Sequence, residues 1–311
     1  MDDRTGARSS GLQHAAMPYR GAGELVAGVA SFVEAAAQAG GAVMIAAVAA
    51  NLGFLRERLD AAGGRVDWVD ISRTGLNPAR LTALLRQFAA GRAGQRVWCV
   101  HEPAWPARSA EELREVHRHE VLLNLALAGA PVSILCPYDT RLGGAVITCA
   151  AQTHPAVIRG ARREDSSAFT GSFPAECDLP LPRPPAGAEV LEYRADLAGA
   201  RRFAAARARL AGLAPDRVAD LVSAVSELAA NTLAHTTGPG TLSMWTTSRE
   251  LVCQAEDAGQ ITDVLAGTAR RDPAAPGGGR GLWLVHQVCD LAEIRTGPAG
   301  TRIRLHMRLD R

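Results

Sequence analysis

Glu227-Leu228-Ala229-Ala230-Asn231-Thr232-Leu233-Ala234-His235 is followed by Asp257-Ala258-Gly259, then by Gly277-Gly278-Gly279-Arg280-Gly281-Leu282, and last by Gly300-Thr301. These four segments, in this order, decide how the second half of the chain folds. The first lies in a helical pattern over Asp216–His235. Glu227 and Asn231 are four apart and share a face, with His235 one further turn along. A carboxylate, an amide and an imidazole on one stripe also suit a solvated helix, but the later segments argue otherwise. Asp257-Ala258-Gly259 ends a strand, and the glycine run leads straight into a helix. There, free N–H groups and the positive end of the helix dipole suit phosphate oxygens.

Around these segments the pattern predicts a strand at Glu189–Arg194, helices at Leu197–Leu210 and Asp216–His235, and adjacent strands at Thr241–Thr247 and Leu251–Glu256. A helix at Leu282–Leu291 follows, then strands Glu293–Thr296 and Thr301–Met307, joined as a hairpin at Gly297-Pro298-Ala299-Gly300. Strands cluster with strands and helices with helices, which predicts an α+β domain with helices on one face of a mixed sheet.

The ordered segments resemble the N, G1, G2 and G3 boxes of the GHKL (Bergerat-fold) ATP-binding family, most closely the small anti-sigma-factor serine kinases of the RsbW and SpoIIAB kind. That resemblance implies an α/β sandwich binding ATP with Mg²⁺. Asn231 would hold the Mg²⁺, Asp257 would accept from the adenine amino group, and Gly259 would let the backbone approach the base. Thr301 would support the adenine side, His235 and Leu282 would line the site, and Ile261–Pro276 would form the lid. Gly277, Gly279, Arg280 and Gly281 would meet the phosphates. Glu227 would be the general base that deprotonates an acceptor hydroxyl. The chain departs from the pattern at Ile261, where a second glycine is usual, and in an Ala/Pro-rich lid. A G-x-G-x-x-G dinucleotide reading fails, because Leu282 falls in the last glycine's place.

Ahead of this domain, apolar runs at Ala42–Val48, Arg65–Ile71, Arg96–His101 and Val132–Cys136 read as buried strands. Helices near Glu24–Ala39, Leu52–Ala62, Pro78–Ala90 and Ala110–Ala128 alternate with them. Asn77-Pro78 supplies a cap and first-turn proline, and Ser109-x-x-Glu112 is a capping box. Such alternation predicts a parallel, doubly wound sheet. Residues 1–17 read as a flexible tail, 18–160 as this α/β domain, 161–187 as a Pro-rich linker and 188–311 as the ATP-binding domain.

Ligands in such sheets bind beyond the carboxyl ends of the strands. His101 and Glu102 end the third strand, Cys136 and Tyr138 the fourth, and His154 follows the next helix, so these five are the candidate sensory site. His117, Glu120 and Asn124 form one stripe on the long helix. These segments resemble the MEDS domain, the sensory module of methanogen and methylotroph DcmR-type regulators, which is found fused to GHKL domains. That domain is similar to the RecA-like fold, yet the loop after the first strand, Ala49-Ala50-Asn51-Leu52-Gly53, carries no Walker motif. His101, Cys136 and His154 are metal-ligand types, but single residues scattered over three loops are a weak metal signal, and buried, hydrogen-bonded histidines lining a pocket are the preferred reading. Arg118-His119-Glu120 mimics the start of a histidine-kinase H-box. It lacks the following proline, and no dimerisation hairpin precedes the ATP domain, so His119 reads as a solvated helix residue.

The 34 Lys+Arg residues are all Arg. Without Lys, Walker A chemistry, Gly-rich-loop kinases and Schiff-base catalysis are excluded. A formal net charge of +2 offers no footprint for nucleic acid. The six cysteines show no C-x-x-C pair, which argues against structural zinc and a disulfide framework. The opening Met-Asp-Asp-Arg precedes no apolar stretch of signal-peptide type, and no run is long enough to cross a membrane, so the expected location is the cytoplasm. The family resemblance implies a sigma factor and a STAS anti-anti-sigma factor as partners, phosphorylation of the latter on Ser or Thr, a small-molecule signal at the first domain, and compatibility with a homodimer. A non-catalytic ATP-dependent switch, or a ligand sensor without kinase activity, is the alternative.

Overall fold

The computed structural model describes residues 11–59, 66–92, 94–270 and 281–309. The chain divides into two compact units, 1–177 and 178–311.

The first unit is a seven-stranded sheet in the order β3-β2-β4-β5-β1-β6-β7. Its strands are β1 (Gln13–Tyr19), β2 (Ala42–Ala47), β3 (Val66–Asp70), β4 (Val97–His101), β5 (Val132–Asp139), β6 (Ala156–Arg159) and β7 (Arg162–Asp165). All neighbours are parallel except β6 and β7. Helices α1 (Gly21–Gln38) and α2 (Ala49–Leu59) cover one face, where Leu25, Val29, Leu52 and Leu55 pack on Met17, Ile45, Val100 and Leu135. On the other face lie α3 (Pro78–Ala90), α4 (Ala110–Leu127) and α5 (Gly144–Thr153), packed on Ala16, Cys99, Ile134, Cys136 and Tyr138. Asn77 caps α3, and the Ser109–Glu112 capping box starts α4 with both of its hydrogen bonds made.

Two boundaries differ from expectation. Gln13–Tyr19, all but its last two residues read as tail, is an inner strand that pairs along its whole length with β5. Pro18 and four small or polar residues, Gln13 to Ala16, conceal it, because a proline argues against an inner strand. The expected linker, 161–187, holds the division between the two units but does not start where expected. Arg162–Asp165 joins the sheet as β7, and the Cys177 carbonyl accepts from Arg118 at 3.1 Å. Farther along, the carbonyls of Leu179 and Pro182 accept from Arg295 (3.0 Å) and Arg304 (2.5 Å). Proline removes a donor but keeps its acceptor, so arginines can anchor a segment that no β-ladder can hold. His119, expected in solvent, is buried with its Nδ1 3.5 Å from Thr82 Oγ1.

The second unit is a five-stranded sheet, β11-β12-β10-β9-β8, under three helices. Its elements are β8 (Glu189–Tyr193), α6 (Leu197–Leu210), α7 (Pro215–His235), β9 (Gly240–Thr246), β10 (Glu250–Asp257), α8 (Gly281–Val288), β11 (Leu291–Gly297) and β12 (Gly300–Arg308). Every neighbouring pair is antiparallel, where a mixed sheet was expected. Strand alternation places Leu242, Met244, Cys253, Leu305 and Met307 against Ala204, Leu221, Val225 and Val285 of the helices. The opposite face carries Gln254, Arg304 and His306 in polar networks. Helix α8 stops before its expected end because Asp290 N–H turns to the His306 carbonyl and starts the hairpin.

Candidate functional site

In the second unit, a pocket of about 280 Å³ opens between α7, the ends of β10 and β12, and the start of α8. Asn231, His235, Asp257, Gly259, Gly281, Leu282 and Thr301 all line it. Asp257 is held from two sides: Gly259 N–H donates to Oδ1 at 2.8 Å and the Thr232 hydroxyl to Oδ2 at 2.7 Å. Each oxygen keeps a further lone pair for a ligand donor. Thr301 donates to the Gly259 carbonyl at 2.8 Å, and its hydroxyl lies 2.9 Å from that of Thr296, which accepts from Ile261 N–H at 2.9 Å. The loop after β10 is thus tied down by side chains of the final hairpin. Where a second glycine was expected, Ile261 instead packs against the domain core.

Gly281 opens α8 against the polar stripe of α7. A Cβ on Gly281 would lie 2.9 Å from Glu227 Oε2 and 3.2 Å from Asn231 Nδ2, so a larger residue there would push these side chains aside. Glu227 is half-buried beside that junction and is not part of the pocket lining. The described part of the expected lid, 261–270, folds back at Gly267 (φ 83°), where a Cβ would crowd Leu282 and His286 of α8. Gly277, Gly279, Arg280 and the rest of the expected lid lie outside the described residues. Thr232 escaped notice in the sequence. Its signal was its place beside Asn231, one turn past Leu228, whose carbonyl it also reaches at 3.2 Å.

Of the five candidates in the first unit, four converge and one does not. Cys136 Sγ lies 3.9 Å from His101 Nδ1, and the Tyr138 ring meets that of His154 edge-on at 5.6 Å. Glu102 points elsewhere, because successive strand residues face opposite sides of a sheet. Its carboxylate accepts from Val48 N–H (3.0 Å) and from Asn51 Nδ2 (2.6 Å), beside the Tyr19 hydroxyl. Burial pushes the Glu102 carboxyl up to about 7, against the pull of those two donors. The four that meet sit between the sheet and α4, not beyond the strand ends. Strand β5 runs on to Asp139, so Cys136 and Tyr138 lie inside it, paired with Ala16 and Pro18. Burial drives the His101 imidazole down to about 4, despite the neighbouring Glu120 carboxylate. His14 and Glu120 complete this group, and neither was among the candidates.

Family models match both halves. The MEthanogen/methylotroph, DcmR Sensory domain (MEDS) matches residues 13–155, and the histidine kinase-like ATPase domain matches residues 192–307. The chain therefore carries a MEDS sensory domain followed by a GHKL-type ATPase domain. In outline it is a regulatory, ATP-dependent sensor. No curated protein matches it. Among the described residues, no helix is long and apolar enough to cross a membrane.

Proposed function

We propose that the chain is an anti-sigma-factor-type regulator whose second unit binds ATP with Mg²⁺, sequesters a sigma factor and phosphorylates Ser or Thr of a STAS anti-anti-sigma partner under control of the MEDS unit. The observation carrying this reading is the Glu227–Asn231 stripe pressed against the first turn of α8, beside a pocket that Asp257 closes. The residues fit the nucleotide: a carboxylate with spare lone pairs stands on one wall, and a glycine-opened helix start on another. Bound ATP with Mg²⁺ would supply the phosphoryl group. Asn231 offers a hard amide oxygen for the cation. Asp257 would accept from the adenine amino group, while Thr301 holds the Gly259 carbonyl aside. Arg280 is assigned a phosphate contact. Glu227 would take the proton of the acceptor hydroxyl.

Glu227→Ala separates this reading from its rival. The variant should bind ATP as wild type does, yet lose about 10²–10⁴ in phosphoryl transfer, because a base need not touch the nucleotide. The assay is label transfer from γ-labelled ATP to STAS proteins, with sigma-factor pull-down in parallel. One observation favours a non-catalytic switch: Ile261 replaces a glycine, and its amide is tied to Thr296, so the loop beside the pocket is fixed. Sigma binding without transfer to any STAS protein would decide for the switch.

A further inference from the structure

Four buried side chains from four separate segments meet inside the first unit: His14 of β1, Glu120 of α4, Cys136 of β5 and His154 between α5 and β6. One ligand atom from each lies within 4.8 Å of all the others. Glu120 Oε2 is 3.0 Å from His14 Nε2 and 3.1 Å from His154 Nε2. Cys136 Sγ is 3.2 Å from His14 Nε2 and 3.5 Å from Glu120 Oε2. All four residues are at most 1% exposed.

The surrounding hydrogen bonds assign the tautomers. Asn124 Nδ2 donates to the Thr153 carbonyl at 2.7 Å, which leaves its amide oxygen facing His14 Nδ1 at 2.9 Å. An amide oxygen only accepts, so the His14 proton sits on Nδ1. His154 Nδ1 lies 2.7 Å from the Ala150 carbonyl, and its proton is placed the same way. In the neutral form of each ring both Nε2 atoms are then bare, and both face one carboxylate oxygen. Three acceptors aimed at one another repel, and an unpaired buried acceptor costs roughly 1–3 kcal/mol. A cation at their centre turns that repulsion into attraction.

We propose that His14 Nε2, His154 Nε2, Cys136 Sγ and the Glu120 carboxylate form a site for Zn²⁺ or a similar late first-row divalent cation. Ligand atoms of a tetrahedral zinc site, at bond lengths of about 2.0–2.3 Å, stand roughly 3.3–3.8 Å apart, near the separations found here. Two imidazoles and a thiolate select such metals over Mg²⁺ or Ca²⁺. The Asn124 amide oxygen and the Ala150 carbonyl hold the two Nδ1 atoms, as outer partners of metal-bound histidines do. The rival arrangement is a metal-free network in which Cys136 donates to His14 and a single proton shared between Glu120 and His154 joins that pair.

Because the cluster is fully buried, metal must enter as the chain folds. The full-length chain is therefore produced in medium supplemented with Zn²⁺ or with Co²⁺, and its metal content is measured after removal of free ions. The expected result is one ion per chain, with thiolate-to-cobalt charge transfer and strong tetrahedral d–d absorption in the cobalt form. Cys136→Ala should abolish the charge-transfer band and most of the metal. Asn124→Ala should weaken binding about 10–100-fold in competition with a chelator. Cys149→Ala, whose thiol faces Glu176 and not the cluster, should leave both unchanged. Wild-type protein that carries no stoichiometric metal from either medium overturns the proposal in favour of the protonated network. So does a cobalt form without thiolate charge transfer, or a folded Cys136→Ala that retains wild-type metal content.

Discussion

The Thr232 hydroxyl donates to Asp257 Oδ2 at 2.7 Å across 25 residues of sequence, joining the helix that carries Asn231 to the strand end that carries Asp257. Tyr193 OH donates to the same hydroxyl at 3.0 Å, so three elements depend on one oxygen. Thr232→Val keeps the shape and removes that oxygen. It should destabilise the second unit by about 1–3 kcal/mol, since the buried Tyr193 hydroxyl loses its acceptor. Denaturant unfolding measures this loss, and calorimetry should show a parallel fall in ATP affinity as Asp257 is freed.

Asn231 and Asp257 should fail in different ways. Asn231→Ala removes the amide oxygen assigned to Mg²⁺ and should abolish Mg²⁺-dependent ATP binding. Asp257→Ala should instead erase the preference for adenine over guanine nucleotides. Calorimetric titration with ATP and GTP, with and without Mg²⁺, resolves the two. Equal ATP affinity in wild type and Asn231→Ala would remove the cation assignment.

Gly300 starts β12 at φ 111°, and a Cβ there would overlap the Asp257 carbonyl. Gly300→Ala should therefore cost roughly 1–3 kcal/mol through backbone strain. It should also weaken nucleotide binding, because relief of the clash moves Asp257. The urea midpoint of the second unit and the ATP dissociation constant read these two effects separately.

His306 sits between Glu250 (2.9 Å) and Glu293 (3.1 Å), one on each neighbouring strand. Burial alone would lower its pKa, but the two carboxylates outweigh it and raise the imidazole from 6.5 to about 9. The folded pKa lies above the unfolded one. The stabilisation is therefore complete below pH 6.5 and is lost as pH rises through about 9. Stability of the second unit should decline between neutral and alkaline pH, on the order of 1.4 kcal/mol for each unit of pKa shift. In His306→Gln that decline should vanish. Histidine NMR titration paired with urea unfolding at several pH values checks both statements.

Much of this was legible because local signals agreed. Helix α3 runs over the span its cap and periodicity predict, α6 over the span its periodicity predicts, and the described segments that line the pocket lie in one ordered series along the chain. What stayed hidden was non-local. Strand β1 has little β-propensity, and only its two parallel neighbours make it a strand. With it went His14, and with His14 the pairing that reveals β5 running past Cys136. Glu102 was misplaced for a different reason: adjacency to His101 in sequence means opposite faces in a strand. Glu120 was visible on its helix stripe, but nothing local distinguishes a carboxylate facing solvent from one facing three histidines.

The inner position of β1 also governs how this chain leaves the ribosome. Its partners are Ser133–Asp139 of β5 and Ala156–Val157 of β6, more than a hundred residues downstream. Within the first unit, β1 therefore waits, unpaired and partly apolar, until nearly the whole unit has been synthesised. Pairings of such long range are slow to form and exposed to misassembly. Shortening the N-terminus past Gln13, or fusing a bulky partner directly to it, should impair production of the entire first unit, because it removes or blocks the sheet's inner strand.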